Sequence, residues 1–142
     1  MPTHSGSARY EGFGKDGKGW TSTQSGVLAD QPYAFSSRFE DGKGTNPEEL
    51  IAAAHASCFT MALSFALARA GYSKGTLDTE AKVTLEKDGD GFTITRSDLT
   101  LRASVPGIST DEFSRLAADA KANCPVSKVL NAEITLNHSL AE

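Results

Sequence analysis

Five residues of this 142-residue chain have side chains and positions that could carry out chemistry. The two cysteines are Cys58, inside a long apolar stretch, and Cys124, directly before a proline. His55 precedes Cys58 by one helical turn, Glu48 lies at the start of the same stretch, and Arg38 lies shortly before it. Such a set indicates thiol chemistry, because a cysteine reacts as its thiolate and a nearby cation stabilises that form.

The two cysteines have different sequence surroundings. Cys58 taken alone matches an inert buried thiol, since cysteine is among the most buried residue types. Pro125 suits the first position of a helix, which would place Cys124 at a helix N-terminus, where the partial positive charge lowers a thiol pKa. The alternative for Cys124 is a helix cap without chemistry. If both thiols meet in the fold, one can be oxidised to a sulfenic acid and the other can resolve it as a disulfide.

The same residues allow other interpretations. Both cysteines with His55 would give only three zinc ligands, and a metal inside an apolar helix is a poor match for them. Cys58 and His55 could form the dyad of a cysteine hydrolase, although such residues usually come from different elements. Arg38 is either a solvated charge or a cation that stabilises the Cys58 thiolate, with Glu48 holding its guanidinium in a two-point pair.

A long helix between Thr45 and Gly71 must position these side chains. Asn46 is a good N-cap with a proline directly after it, and Thr45 fits the same pattern one residue earlier. The sequence does not decide which of the two is the N-cap. Gly71 matches the left-handed residue that ends a helix. The segment is apolar on all sides, which predicts burial on all sides. About twenty such positions exceed what one sheet can cover, so a second copy of the chain is expected to supply the other side of a dimer core.

Strands are predicted before and after this helix from alternating apolar residues and glycine-containing turns. They span residues 7–12, 19–28, 33–39 (which carries Arg38), 79–86, 92–105 and 133–140. The apolar phase slips along 92–105, which predicts a bulge near Arg96 to Asp98. The turn of that hairpin is predicted at residues 88–91.

Two further helices are predicted after the hairpin. Ser109 or Thr110 caps the first, and a short one runs from Pro125 to Leu130. The first has one apolar stripe, made of Phe113, Leu116, Ala117 and Ala120. The order of elements predicts a single α+β domain, residues 1–142, with antiparallel sheets around the long central helix.

The composition restricts the partners and the location that we expect. A net charge of −4 argues against a nucleic-acid partner, because no basic stripe neutralises phosphates. The N-terminal residues lack the apolar region of a signal peptide, and polar residues interrupt the long helix, which favours a core helix over a membrane span. A cytoplasmic location is therefore expected, where thiols are kept reduced and paired cysteines more often carry chemistry than structure.

Two segments, QPYAFSSRFEDGKGTNPEELIAAAHASCFTMAL and ANCPVSKVLNAEITL, resemble the OsmC/Ohr family of thiol-dependent hydroperoxide reductases. Within that family they are most similar to the OsmC branch. The resemblance extends over nearly the whole chain, including GKGWTSTQSGVL and VPGIST. Its most specific parts are NPEEL followed by the helical cysteine, and the second cysteine in Cys-Pro-Val-Ser.

The resemblance implies an OsmC-like fold, an intertwined homodimer with the cysteine helices at its centre, and a site at each place where the subunits meet. It implies that Cys58 is the peroxidatic cysteine, that Cys124 resolves it as a disulfide, and that Glu48 is the active-site glutamate. The family also uses an arginine whose position differs between its branches; Arg38 matches the OsmC form, and Arg9 is the alternative.

The function implied is a peroxidase that reduces organic hydroperoxides to alcohols, and hydrogen peroxide less well. A dithiol such as a dihydrolipoyl group is expected to recycle it, without metal, haem or flavin. Apolar residues around Cys58, including Phe59 and Met61, are expected to form the substrate pocket together with the partner subunit. Two alternatives are a ligand-binding or structural dimer of the same fold and, less favoured, a cysteine-dependent hydrolase.

Overall fold

In the computed structural model, which describes residues 1–141, the N-terminal unit Met1–Leu50 contains a three-stranded antiparallel sheet. Its strands, in spatial order, are β1 (Gly6–Glu11), β2 (Lys18–Thr23) and β3 (Gln31–Tyr33). The first two confirm predicted strands. β2 ends before the predicted residue 28 because the chain turns at Thr23, whose N–H donates to the carbonyl of Leu28 at 2.9 Å.

The predicted third strand, 33–39, is wrong. Most of it forms a short helix, α1 (Phe35–Phe39), so Arg38 lies in a helical turn and not on a strand. The buried Ser37 hydroxyl accepts a hydrogen bond from the N–H of Ala34 at 2.8 Å. Serine side chains that bond to nearby backbone groups compete with strand pairing, which explains why an alternating sequence forms a helix here.

The long apolar segment forms helix α2 (Pro47–Arg69), as predicted. Asn46 is its N-cap, because its Oδ1 accepts the N–H of Glu49 at 2.7 Å. At the other end Gly71 has a φ of +100°, and the carbonyl of Leu67 accepts a hydrogen bond from the N–H of the residue that follows Gly71. This is the left-handed helix end that the sequence predicts.

Only one face of α2 is buried in the single chain. After Glu48 in the first turn, the buried residues of α2 repeat every four positions and are His55, Phe59, Leu63 and Leu67. On the opposite face Met61 is 63% exposed and Phe65 is 59% exposed. One chain alone therefore covers only one side of α2, and cover of the other side by a second copy stays a prediction. By length and composition α2 could also span a membrane, but its buried face belongs to the core of the C-terminal unit.

The C-terminal unit, Ile51–Glu142, contains the second sheet. Strands β4 (Thr76–Asp88) and β5 (Gly91–Ser104) form the predicted antiparallel hairpin. Its register shifts at Thr95, which has no partner on β4. This confirms the predicted bulge and places it beside the expected residues.

Two helices connect β5 to the last strand. They are α3 (Thr110–Asn123) and α4 (Pro125–Val129), and the N-cap of α3 is Ser109, whose hydroxyl accepts the N–H of Glu112 at 3.1 Å. The predicted stripe of α3 is buried against α2 and β5. The stripe consists of Phe113, Leu116, Ala117 and Ala120.

The last strand, β6 (Glu133–Ala141), pairs with β5 in parallel. The prediction of antiparallel sheets therefore holds for the first sheet and for β4–β5, and is wrong for this pair. The physical reason is the connection: α3 and α4 carry the chain back across the sheet, so that β6 runs in the same direction as β5.

Candidate active site

The first part of the candidate site is the pair of cysteines, which lie on different elements of the C-terminal unit. Cys58 lies in the middle of α2 and is half-buried, whereas Cys124 is completely buried. Cys124 is both the C-cap of α3 and the N-cap of α4. Its position confirms the prediction that Pro125 begins a helix directly after it.

The two side chains are free thiols that hydrogen-bond to each other. The fold thus satisfies the condition for a redox pair that the sequence leaves open. The exposure of the two sulfurs is unequal, so Cys58 is the thiol that a small molecule from solvent can reach. Cys124 is closed to solvent.

Hydrogen bonds and burial act on the acidity of both thiols. Burial raises the pKa of Cys58, and so does its hydrogen bond to Cys124. Burial also acts to raise the pKa of Cys124, but hydrogen bonds from Cys58 and from the backbone and side chain of Ser127 outweigh it, so that this pKa is lowered. The backbone N–H of Val126 acts on both sulfurs. The two thiols therefore lose their first proton as a coupled pair. One sulfur becomes the thiolate, and the other keeps its proton and donates a hydrogen bond to that thiolate.

The second part of the candidate site is an ion pair within the N-terminal unit. Arg38 Nε lies 2.9 Å from Glu48 Oε1, and Arg38 Nη2 lies 3.0 Å from Glu48 Oε2. Glu48 is buried at the start of α2 and Arg38 is partly exposed, with its guanidinium over the ring of Phe39 at 5.4 Å. Two parallel hydrogen bonds fix the plane of the guanidinium, as predicted from the sequence.

The alternative arginine has another partner. Arg9 lies on β1, and its Nη2 is 2.6 Å from Oε2 of Glu11 on the same strand. Both side chains are mostly exposed. An exposed pair of this kind holds its geometry weakly, so Arg38 is the more firmly held of the two arginines.

His55 is completely buried and its ring bonds to two serines that the sequence analysis did not identify. Nδ1 lies 2.7 Å from Ser97 Oγ on β5, and Nε2 lies 2.8 Å from Ser127 Oγ on α4. Burial lowers the pKa of His55, so its ring is neutral at neutral pH. Since both ring nitrogens are occupied, the hydrolase dyad with Cys58 does not form. No local pattern in the sequence connects residues so far apart.

The expected substrate pocket differs from the observed surroundings of Cys58. Phe59 is completely buried in the core, so it cannot line a pocket open to solvent. Met61 is exposed and lines an open groove of about 550 Å³ along α2, together with Phe65 and Leu77. Among residues 1–141, no three histidine, cysteine or acidic side chains come together as a metal site would require.

Comparison with known proteins gives a consistent result. The family model of OsmC-like proteins matches residues 40–139. Peroxiredoxin OsmC of Escherichia coli is 55% identical over 135 residues, which is 95% of this chain and 94% of that protein. The organic hydroperoxide resistance protein OhrA of Bacillus subtilis is 35% identical over 102 residues, 70% of each chain.

The fold agrees with solved structures of the same group. The crystal structure of the organic hydroperoxide resistance protein OhrB of Bacillus subtilis matches with a TM-score of 0.68 and 27% identity, over 98% of both chains. Two sheets and a long cysteine-bearing helix are thus the OsmC-like α+β fold expected from the sequence. By its sequence and by its fold, the chain belongs to the family of OsmC-like proteins.

Proposed function

We propose that this protein is a thiol-dependent peroxidase that reduces organic hydroperoxides to alcohols through Cys58 and Cys124. The observation that carries the proposal is the contact between two free thiols of unequal exposure, one accessible and one buried. Relatives named peroxiredoxin and organic hydroperoxide resistance protein support the same activity.

In the first step the Cys58 thiolate attacks the terminal oxygen of the hydroperoxide. A sulfur–oxygen bond forms, the oxygen–oxygen bond breaks, and the alkoxide takes up the proton lost by the thiol and leaves as the alcohol. In the second step the sulfur of Cys124 attacks the Cys58 sulfenic acid, a disulfide forms, and water leaves. A dithiol, for which dihydrolipoyl groups are the expected class, then restores both thiols by exchange.

Arg38 and Glu48 complete the proposed catalytic set. The guanidinium is proposed to favour the Cys58 thiolate and to offset the charge that develops on the leaving oxygen, while Glu48 fixes its orientation. The two-point pairing of Arg38 with a buried carboxylate supports this role. The match of both residues to the family motif also supports it.

The working form is proposed to be a homodimer. The outer face of α2 leaves two large apolar side chains, Met61 and Phe65, exposed in the single chain. A second copy that covers this face would bury them, which the hydrophobic effect favours. We also propose that residues 1–142 make one domain of the family and that the protein is cytoplasmic.

Peroxide turnover with different reductants tests this proposal. The wild type should consume cumene hydroperoxide with dihydrolipoamide as reductant, and Cys58→Ser should not. Cys124→Ser should lose most of its turnover, because no disulfide is offered to the dithiol. Full activity of Cys58→Ser would contradict the proposal, as would a wild type that consumes no peroxide.

A further inference from the structure

The steps proposed above do not use His55, yet its ring is only one side chain away from Cys124. Ser127 Oγ lies 2.8 Å from His55 Nε2, and Ser127 lies in α4 three residues after Cys124, the N-cap of that helix, where its side chain lowers the pKa of Cys124. Ser97 Oγ lies 2.7 Å from His55 Nδ1. Ser97, His55 and Ser127 form one buried chain of hydrogen bonds, and its Ser127 end lies in α4 beside the equally buried Cys124.

A neutral imidazole has one donor and one acceptor nitrogen, so it gives this chain a direction. If Ser97 donates to Nδ1, then Nε2–H donates to Ser127, and the Ser127 hydroxyl is left to donate to the sulfur of Cys124. In this direction every hydrogen points towards Cys124 and stabilises its thiolate. In the opposite direction Cys124 donates to Ser127 and Ser127 donates to Nε2, which stabilises the thiol. The tautomer of His55 is therefore coupled to the protonation state of Cys124.

We propose that His55 is a positioning residue for the resolving step, holding Ser127 so that its hydroxyl donates to Cys124 as this cysteine attacks. The proposal rests on the proposed peroxidase function and deepens it. In the step, the Cys124–Cys58 sulfur–sulfur bond forms and the sulfur–oxygen bond of the sulfenic acid breaks. The departing hydroxide and the proton that Cys124 loses leave together as water.

The position of the chain supports this role over a purely structural one. Cys124 is buried, so solvent cannot stabilise its negative charge, and protein donors must do so. The groups that stabilise its thiolate are Cys58 and groups at the start of α4. Cys58 loses its S–H when it is oxidised to the sulfenic acid, so the groups of α4 remain. Ser127 is the one side chain among these α4 groups, and His55 holds it.

Separate measurement of the two chemical steps tests the proposal. Reduced wild type, Ser127→Ala and His55→Gln are mixed with a stoichiometric amount of cumene hydroperoxide and quenched at intervals. Sulfenic acid and disulfide are then quantified by intact mass. Loss of one hydrogen bond to a charged sulfur should slow disulfide formation about tenfold, and sulfenic acid formation should be unchanged. Ser127→Ala removes a single oxygen atom, so it tests the chain even if His55→Gln does not fold.

A second readout needs no peroxide. The pKa of Cys124, measured by the pH dependence of its alkylation in the Cys58→Ser background, should rise in both variants. Exposed residues on β6 provide matched controls: His138→Gln and Ser139→Ala should leave this pKa and both rates unchanged. The proposal would be overturned if both variants had a lower melting temperature but formed the disulfide at the wild-type rate and kept the wild-type pKa of Cys124. A wild type that forms neither sulfenic acid nor disulfide would instead contradict the peroxidase function, and the pKa readout would still decide the role of His55.

Discussion

Arg38 and Glu48 are joined by two parallel hydrogen bonds, of 2.9 and 3.0 Å, between the last turn of α1 and the first turn of α2. The carboxylate is buried and the guanidinium is partly exposed. One side of the guanidinium is thus fixed, while its remaining N–H groups stay available. This arrangement suits a cation that must be oriented towards a substrate.

Replacement of Glu48 by glutamine should reduce peroxidase activity without unfolding the protein. Glutamine keeps the shape of the side chain but loses the charge and one of the two acceptors. We expect the catalytic efficiency to fall by about tenfold to a hundredfold, as for a misplaced catalytic group. Arg38→Lys should have a similar effect, because lysine keeps the charge but cannot make the two-point contact. Stopped-flow consumption of cumene hydroperoxide measures both.

The matched control for this experiment is the exposed pair of Arg9 and Glu11. Glu11→Gln removes the corresponding ion pair on β1 and should leave the catalytic efficiency unchanged. If Glu11→Gln lowered the catalytic efficiency and Glu48→Gln did not, Arg9 and not Arg38 would be the arginine that acts on the thiolate.

Introduction of a charge on the outer face of α2 should weaken the dimer. In Phe65→Asp an unpaired carboxylate replaces a side chain that is 59% exposed in the single chain. Burial of that charge at an interface costs on the order of 3 kcal/mol, or about a hundredfold in the dissociation constant. Sedimentation velocity over a range of concentrations measures the change.

The control for the dimer is Ala118→Asp on the exposed face of α3. It adds the same charge to a helix whose apolar stripe faces the core, so the dissociation constant should not change. A wild-type protein that sediments as a monomer at all concentrations would show that the outer face of α2 is not a dimer interface.

Much of this architecture could be predicted from local patterns. Asn46, Gly71, Ser109 and Pro125 each mark a helix end through chemistry that acts within a few residues, and the structure confirms all four. The fold class and the family also follow from the sequence. Cover of α2 on one side only, within a single chain, also follows from the sequence, but the covered residues could not be predicted, because apolar residues on all sides do not say which of them the same chain covers.

The errors and omissions depend on contacts that local patterns do not show. Ser37 turns a predicted strand into α1 through a hydrogen bond to the backbone. The direction of β6 is set by the connection before it, and alternation is the same in parallel and antiparallel strands. The serine partners of His55 are 42 and 72 residues away, so only the folded chain identifies them.

The enzyme should prefer organic hydroperoxides over hydrogen peroxide. Contact of an organic group with apolar residues near Cys58, such as Met61, should raise the catalytic efficiency for cumene hydroperoxide by about tenfold to a hundredfold over that for hydrogen peroxide. Met61→Ala should lower the first value and leave the second unchanged. Equal efficiencies for the two peroxides in the wild type would contradict this preference.

Stability in acid should depend on Asp98, which joins β5 to β6. Hydrogen bonds from Arg96 at 2.8 Å and from Thr135 at 2.6 Å lower the pKa of Asp98 from 3.8 to about 2. Because the folded-state pKa lies below that of the unfolded chain, this stabilisation is present above pH 3.8 and is lost as the pH falls towards about 2.

Urea unfolding across that pH range measures the effect. The free energy of unfolding of the wild type should fall more steeply than that of Asp98→Asn, which should already be less stable at neutral pH. Asp90→Asn, in the exposed β4–β5 turn, should behave as the wild type. Parallel curves for the wild type and Asp98→Asn would show that this carboxylate does not contribute.

The central claim is that Cys58 and Cys124 form a disulfide in response to a hydroperoxide. The most direct measurement is the intact mass and the thiol count of the reduced protein before and after a stoichiometric amount of cumene hydroperoxide. The wild type should lose two hydrogens and both thiols, and Cys124→Ser should instead gain oxygen on Cys58. Unchanged mass and unchanged free thiols in the wild type would contradict the account.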